Sequence, residues 1–346
     1  MEGTFRSPNP SPEILGLPKC NLHSHLEGSV RPATFRELAL QQGLTFRDED
    51  SCVEDMLQVN GSETSLADYL AKIAVNYSVL KDPDAMRRVA YEAAEDAFND
   101  GVVYLELRFG PVTHSTPQFP IQRCIESVLE GLQEAETKYG IICRLIVAAL
   151  RHHDLAINLD LAQIAVTYQK FGVVGFDLAG DEAAYPASLH QRALLLARES
   201  GLGLTVHAGE ASGAKEVMFA VRVLGASRIG HGIRSTESTE LLQVLHEKQI
   251  LLEVCPTSNI HTKAVPALDQ HPVRFFYDYG IPIAISDDDP ITSDTRVSKE
   301  LTLLREHFGF SLEEIKRLQL TALEHSFLMD ESLRHEIKIR IENYPL

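Results

Sequence analysis

Short apolar runs recur along this chain, and between them apolar residues return at three- and four-residue intervals. The runs fall at residues 20–23, 102–107, 143–150, 173–178, 202–207, 228–231, 250–254 and 281–285, each short enough for a strand. The intervening stretches read as amphipathic helices. One begins at Asp82-Pro83 and carries Met86, Val89, Ala90, Ala93, Ala94, Ala97 and Phe98 as a single core-facing stripe, with Gly101 as its stop. Residues 189–197 before Gly201, 217–224 before Gly225, and 241–246 repeat the plan. Repeated strand–helix units predict an α/β protein of the (β/α)8 TIM-barrel type, with a doubly wound open sheet as the alternative.

One interval is out of proportion. Residues 28–100 are too long for a single barrel connection and hold several helix-like pieces, including 66–73, so they are expected to form extra helices inserted after the first strand, with a lid over the mouth as their use. Residues 1–17, rich in Pro, Ser and Gly, read as a flexible arm; residues 18–346 read as one barrel domain, whose stretch from Ser311 onward closes the outer ring.

Composition narrows the function. At 346 residues and 44% hydrophobic, the chain suits one large core, and 49 acidic against 32 basic side chains give a formal charge of −17. That charge repels nucleic acid and anionic membrane surfaces alike. No apolar stretch approaches the roughly 20 residues of a membrane span. Cys20, Cys52, Cys124, Cys143 and Cys255 are odd in number and lack CxxC spacing, the pattern of reduced thiols in a cytoplasmic protein. The expected partner is a small molecule; oligomeric state is not legible.

Candidate chemistry gathers where the strands end. His23 and His25 lie two residues apart, so on a strand both imidazoles leave one face and can grip one cation. His207 and His231 end two later runs, and the eighth runs into Asp287, Asp288 and Asp289. Imidazoles with a carboxylate suit zinc when one position is left for water. A binuclear barrel hydrolase would want a lysine at the fourth strand end, and residues 175–180 contain none. The signatures of cytidine-type deaminases, phosphate loops and dinucleotide folds are missing.

Five motifs in order, His23-Ser24-His25-Leu26-Glu27-Gly28, Phe176-Asp177-Leu178-Ala179-Gly180-Asp181-Glu182, Val206-His207-Ala208-Gly209-Glu210, Gly230-His231-Gly232 and Asp288-Asp289-Pro290, resemble the adenosine deaminase family of metal-dependent barrel hydrolases. The resemblance runs from about Pro18 past Asp289. It implies one zinc ion held by His23, His25, His207 and Asp288, and a metal-activated water that attacks C6 of a purine. It implies further that Glu210 protonates N1, that His231 orients the water and helps take its proton, that Asp289 lies near N7, and that the Gly180 N–H meets N3. His25 and Glu27 would also border the substrate; Asp181 and Glu182 would play support roles. Ser258 and Asn259 read either as hydrogen bonders behind the site or as turn residues.

Two departures bear on the substrate. Glu27 stands where many adenosine deaminases carry Asp, and adenine deaminases of the superfamily carry Glu. Asp287 replaces the commoner Thr or Ser, where its charge would either tighten the metal or raise a neighbouring pKa. Adenosine and 2′-deoxyadenosine are the expected substrates, with adenine or a modified adenosine such as aminodeoxyfutalosine as alternatives. A purine-binding protein without turnover is the non-enzyme reading. His114, His152 and His153 follow strand ends too and read as rim or core residues, and Arg108 is placed to pair with a carboxylate at the barrel end; all four stay outside the catalytic set.

Overall fold

The computed structural model describes residues 4–44 and 53–345. Eight parallel strands, β1 (Lys19–His25), β2 (Val102–Phe109), β3 (Ile142–Leu150), β4 (Val173–Ala179), β5 (Gly203–Ala208), β6 (Arg228–His231), β7 (Leu251–Val254) and β8 (Ile283–Ile285), pair in sequence order. The (β/α)8 barrel is therefore present, and each expected strand lies at its place. Parallel strands need crossover connections, whose helices bury the outer face of the sheet. The strands are consequently buried on both sides, which is why they read as nearly unbroken apolar runs.

The seam between β8 and β1 is narrow. It closes through two backbone bonds, His25 N–H to Asp288 O at 2.7 Å and Asp288 N–H to His23 O at 2.9 Å. Lower on β1, the Cys20 and Leu22 amides donate instead to the side chains of Gln319 and Ser286.

The helix Pro83–Asn99 forms as its sequence dictates: Asp82 accepts from the Ala85 amide at 2.9 Å, and Pro83 occupies the first turn, where it forfeits no bond. Met86, Val89, Ala90, Ala93 and Ala94 are buried, whereas Phe98 is exposed and stacks on Tyr139. Phe98 therefore drops out of the expected core stripe and lies on the last turn of the helix.

The reading of residues 1–17 as a flexible arm is corrected over its described part. Pro12–Gly16 is a short helix with Ile14 and Leu17 in the core. Its C-terminal carbonyls, Ile14 O, Leu15 O and Leu17 O, accept from the buried Lys19 ammonium at 2.8, 3.0 and 2.7 Å. The helices Leu312–Glu324 and Glu331–Glu342 also do more than close the ring. Leu323, Leu328, Ile337 and Ile341 pack with Cys20, Leu22 and Leu251 as a floor under the barrel, and the Arg228 guanidinium lies over the Phe327 ring at 3.7 Å.

Residues 28–100 contain the helices Pro32–Gln41, Val53–Leu57, Leu66–Ala74 and Pro83–Asn99. Leu66 and Tyr69 lie over the barrel mouth, where they line its cavity, while Pro83–Asn99 packs on the flank against β2 and the helix Ile121–Tyr139. Cys20, Cys124, Cys143 and Cys255 are buried free thiols; Cys52 lies outside the described residues.

Candidate active site

The C-terminal ends of β1, β5, β6 and the turn after β8 bring together the residues singled out in the sequence. His25 Nε2 lies 3.3 Å from both His23 Nε2 and His207 Nε2, and Asp288 Oδ1 lies 3.1 Å from His23 Nε2 and 3.4 Å from His25 Nε2. The four form one convergent group of donors. Asp288 and His231 both sit at positive φ, +60° and +62°, where a residue with a Cβ is strained; the strain turns each side chain inward off its strand end.

Whether a metal fits can be read from the outer nitrogens. His23 Nδ1 lies 2.8 Å from Glu253 Oε2, and His207 Nδ1 lies 3.0 Å from Asp177 Oδ2. Carboxylates only accept, so both Nδ1 atoms carry hydrogen and both Nε2 atoms turn bare lone pairs into the group formed with His25 and Asp288. Lone pairs and a carboxylate crowded to such separations repel unless a cation lies between them. The separations are below twice a zinc–nitrogen bond of about 2.0–2.1 Å, so the donor set suits a divalent metal such as zinc.

Sequence reading missed the layer beneath. Arg108 donates to Asp177 at 3.0 Å and to Glu253 at 2.8 Å; Arg228 donates to Glu253 at 2.6 Å and pairs with Glu106 at 2.7 Å. Burial opposes ionisation of Asp177 and Glu253, yet His207 with Arg108, and Arg108 with Arg228, hold these carboxyls below their usual range. Two guanidiniums against three carboxylates leave one negative charge under the ligands, which favours a cation above. The available signal was a charged residue inside an apolar strand run, as in Leu252-Glu253-Val254 or Phe176-Asp177-Leu178. The expectation that Arg108 pairs with a carboxylate holds, but beneath the site.

Glu210 is placed by Glu182, whose carboxylate accepts the Gly209, Glu210, Ala211 and Ser212 amides at 2.7–3.0 Å. Burial, then the nearby Asp288 charge, pushes Glu210 up to about 8. His231 Nε2 lies 3.6 Å from Glu210 Oε2, and burial holds its pKa well below the ordinary value. Burial and Asp288 raise Asp289 well above a normal carboxyl. Asp289 packs so closely on Gly28 that a Cβ there would fall 1.9 Å from its Oδ1, so only glycine fits. Tyr69, on the helix Leu66–Ala74, donates to Asp289 Oδ2 at 3.2 Å.

These groups border a cavity of about 400 Å³, with Glu27, Gly180, Asp181 and His152 also in its wall. Gly180 holds φ +101°, a conformation that favours glycine. Glu27 Oε1 accepts the Gly110 amide at 2.8 Å and lies 3.0 Å from His114 Nε2, so His114 is a buried partner of the wall. Asp287 points elsewhere. It accepts from Asn21 at 2.8 Å, stays out of the ligand group, and is itself pushed up to about 7 by burial. Asn259 is the hydrogen bonder behind His231, with Nδ2 3.0 Å from its Nδ1, and not merely a turn residue.

Residues 18–344 match the family model described as adenosine deaminase. The chain belongs to that family. An adenosine deaminase of Clostridium acetobutylicum is 36% identical over 92% of this chain and 96% of its own length. Among solved structures, an adenine deaminase of Arthrobacter aurescens superposes with a TM-score of 0.88 at 27% identity, covering 95% of this chain and 99% of that one. An amidohydrolase of Burkholderia ambifaria with bound zinc gives 0.85 at 26%, over 96% and 93%. As a family member, the chain is a hydrolytic deaminase acting on the amidine carbon of a purine. No helix among the described residues is long and apolar enough to cross a membrane.

Proposed function

We propose that this protein hydrolyses adenosine and 2′-deoxyadenosine to the 6-oxo nucleosides and ammonia. The reading rests on one observation above all: three imidazoles and Asp288 converge at the floor of a purine-sized cavity beside the buried Glu210, whose acid form burial favours. A zinc ion bound by His23, His25, His207 and Asp288 would lower the pKa of a water toward neutrality and so supply the nucleophile.

The remaining chemistry belongs to the chain. Purine N1, N3 and N7 are all acceptors, so a pocket that recognises them must present three donors. Glu210 and Asp289 qualify in their acid forms, which burial and the Asp288 charge favour, and the Gly180 N–H is the third. Glu210 gives its proton to N1 as oxygen adds to C6, which makes the ring electrophilic when attack occurs. As a carboxylate it then takes the C6 hydroxyl proton and passes it to the amine, which departs as ammonia. His231 orients the attacking oxygen. Leu66, Tyr69 and the rest of the helix Leu66–Ala74 act as the lid that excludes water.

Among the described residues bordering the cavity there is no Lys or Arg, while Glu27, Asp181 and Asp289 are present. A phosphate would be buried without a counter-charge, so nucleosides are favoured over nucleotides. The test is ammonia release from adenosine, 2′-deoxyadenosine, adenine, adenosine monophosphate and aminodeoxyfutalosine, with metal analysis of the same sample. Nucleoside turnover well above the rest is the expected result. Preference for adenine would move the protein to base deamination, and silence from metal-loaded protein would leave a purine binder.

A further inference from the structure

Behind His231 runs a chain of hydrogen bonds that leads away from the metal ligands. His231 Nδ1 meets Asn259 Nδ2 at 3.0 Å, Asn259 Oδ1 meets His271 Nε2 at 3.2 Å, and the Val273 N–H donates to His271 Nδ1 at 3.1 Å. Each side chain in it could, taken alone, point either way. An amide can flip and an imidazole can move its proton.

The backbone donor at the far end removes that freedom. Val273 N–H is always a donor, so His271 Nδ1 must be bare, and a neutral His271 carries its hydrogen on Nε2. His271 stays neutral because burial pushes it down to about 3. Nε2–H requires an acceptor, which fixes Asn259 with Oδ1 toward His271 and NH₂ toward His231. His231 Nδ1 must then accept. Independently, the other end of the ring faces Asp288 Oδ2 at 3.9 Å, beside Glu210 Oε2 at 3.6 Å, and the Asp288 carboxylate favours hydrogen on Nε2.

We infer that Val273, His271 and Asn259 form a one-way relay that holds His231 as the Nε2–H tautomer, so that His231 donates a hydrogen bond to the attacking oxygen and does not remove its proton. The inference deepens the deaminase reading and rests on it for the identity of that oxygen. His271 and Asn259 are positioning residues; His231 acts on the reacting atoms. The expectation from family resemblance that His231 helps take the water's proton is replaced by donation alone. The proton left on the attacking oxygen then has Glu210 as its destination, after Glu210 has given its own to N1.

The contrasting arrangement is a carboxylate behind the imidazole, which puts hydrogen on Nδ1 and frees Nε2 to act as a base. Asn259→Asp creates it at unchanged shape, since a carboxylate accepts from both rings. The experiment is long-range ¹H–¹⁵N correlation on zinc-loaded protein with ¹⁵N-labelled histidine, together with kcat, KM and metal content of wild type and Asn259→Asp. The wild-type spectrum should show His231 and His271 protonated on Nε2 alone. In Asn259→Asp, His231 should gain hydrogen on Nδ1, metal content should hold, and kcat should fall by roughly 10²–10⁴-fold with KM little changed. A wild-type His231 protonated on Nδ1, or a variant with the flipped tautomer and undiminished kcat, would overturn the relay. The wild-type spectrum decides the tautomer even if the variant does not fold. Absence of deamination by wild type would count against the function and leave the spectrum to judge the hydrogen-bond polarity.

Discussion

In the proposed reaction Glu210 must arrive at the substrate carrying a proton, and its surroundings favour this by burial and by the neighbouring Asp288. Its acid form is present below about pH 8 and is lost above it, so kcat/KM should fall about tenfold per pH unit on the alkaline side of that value. A profile flat to pH 10 would show that another group supplies the proton. Glu210→Gln keeps the shape and removes the acid; kcat should drop by roughly 10²–10⁴-fold with metal content unchanged. Residues whose chemistry is local, such as the His23 and His25 pair, were legible because spacing alone puts them on one face. Glu253 and Asp177 were in plain view as charges inside apolar runs, but which imidazole each supports depends on strands distant in sequence. The same holds for His271, twelve residues past Asn259 and joined to it only through the fold.

At the scale of elements, the strands were readable because burial on both faces writes a continuous apolar run, and the helices because one face only is buried. The helix Pro12–Gly16 was not readable. It is too short to show a period, and what holds it is a lysine on the following strand together with Ile14 and Leu17 in the core. Lys19→Met should leave the carbonyls of Ile14, Leu15 and Leu17 without their donor and cost roughly 1–3 kcal/mol in urea denaturation. Amide exchange across residues 12–17 should quicken more than elsewhere. Uniform exchange would mean that apolar packing alone docks the helix. The floor of the barrel escaped sequence reading for a similar reason: an amphipathic pattern tells that a helix covers something, not which end of the barrel it covers.

Across the whole molecule, the proposed metal ligands sit on the seam that closes the barrel. His23 and His25 come from its first strand and Asp288 from just beyond its last, and the two backbone bonds of the seam run between these same residues. A metal bound there also ties the sheet's ends together. Stripping it should lower stability by about 2.7 kcal/mol if free metal had stood at a hundred times its dissociation constant, and amide exchange at His25 and Asp288 should rise first. Equal melting of metal-free and loaded protein would separate the seam from the site. The seam also sets a timetable for synthesis. A growing chain displays His23 and His25 early and His207 later, yet it lacks the carboxylate, and the first strand lacks its neighbour, until residue 288 has left the ribosome. Activity therefore waits on the eighth strand, and a product cut short before it is not a weaker enzyme but none at all.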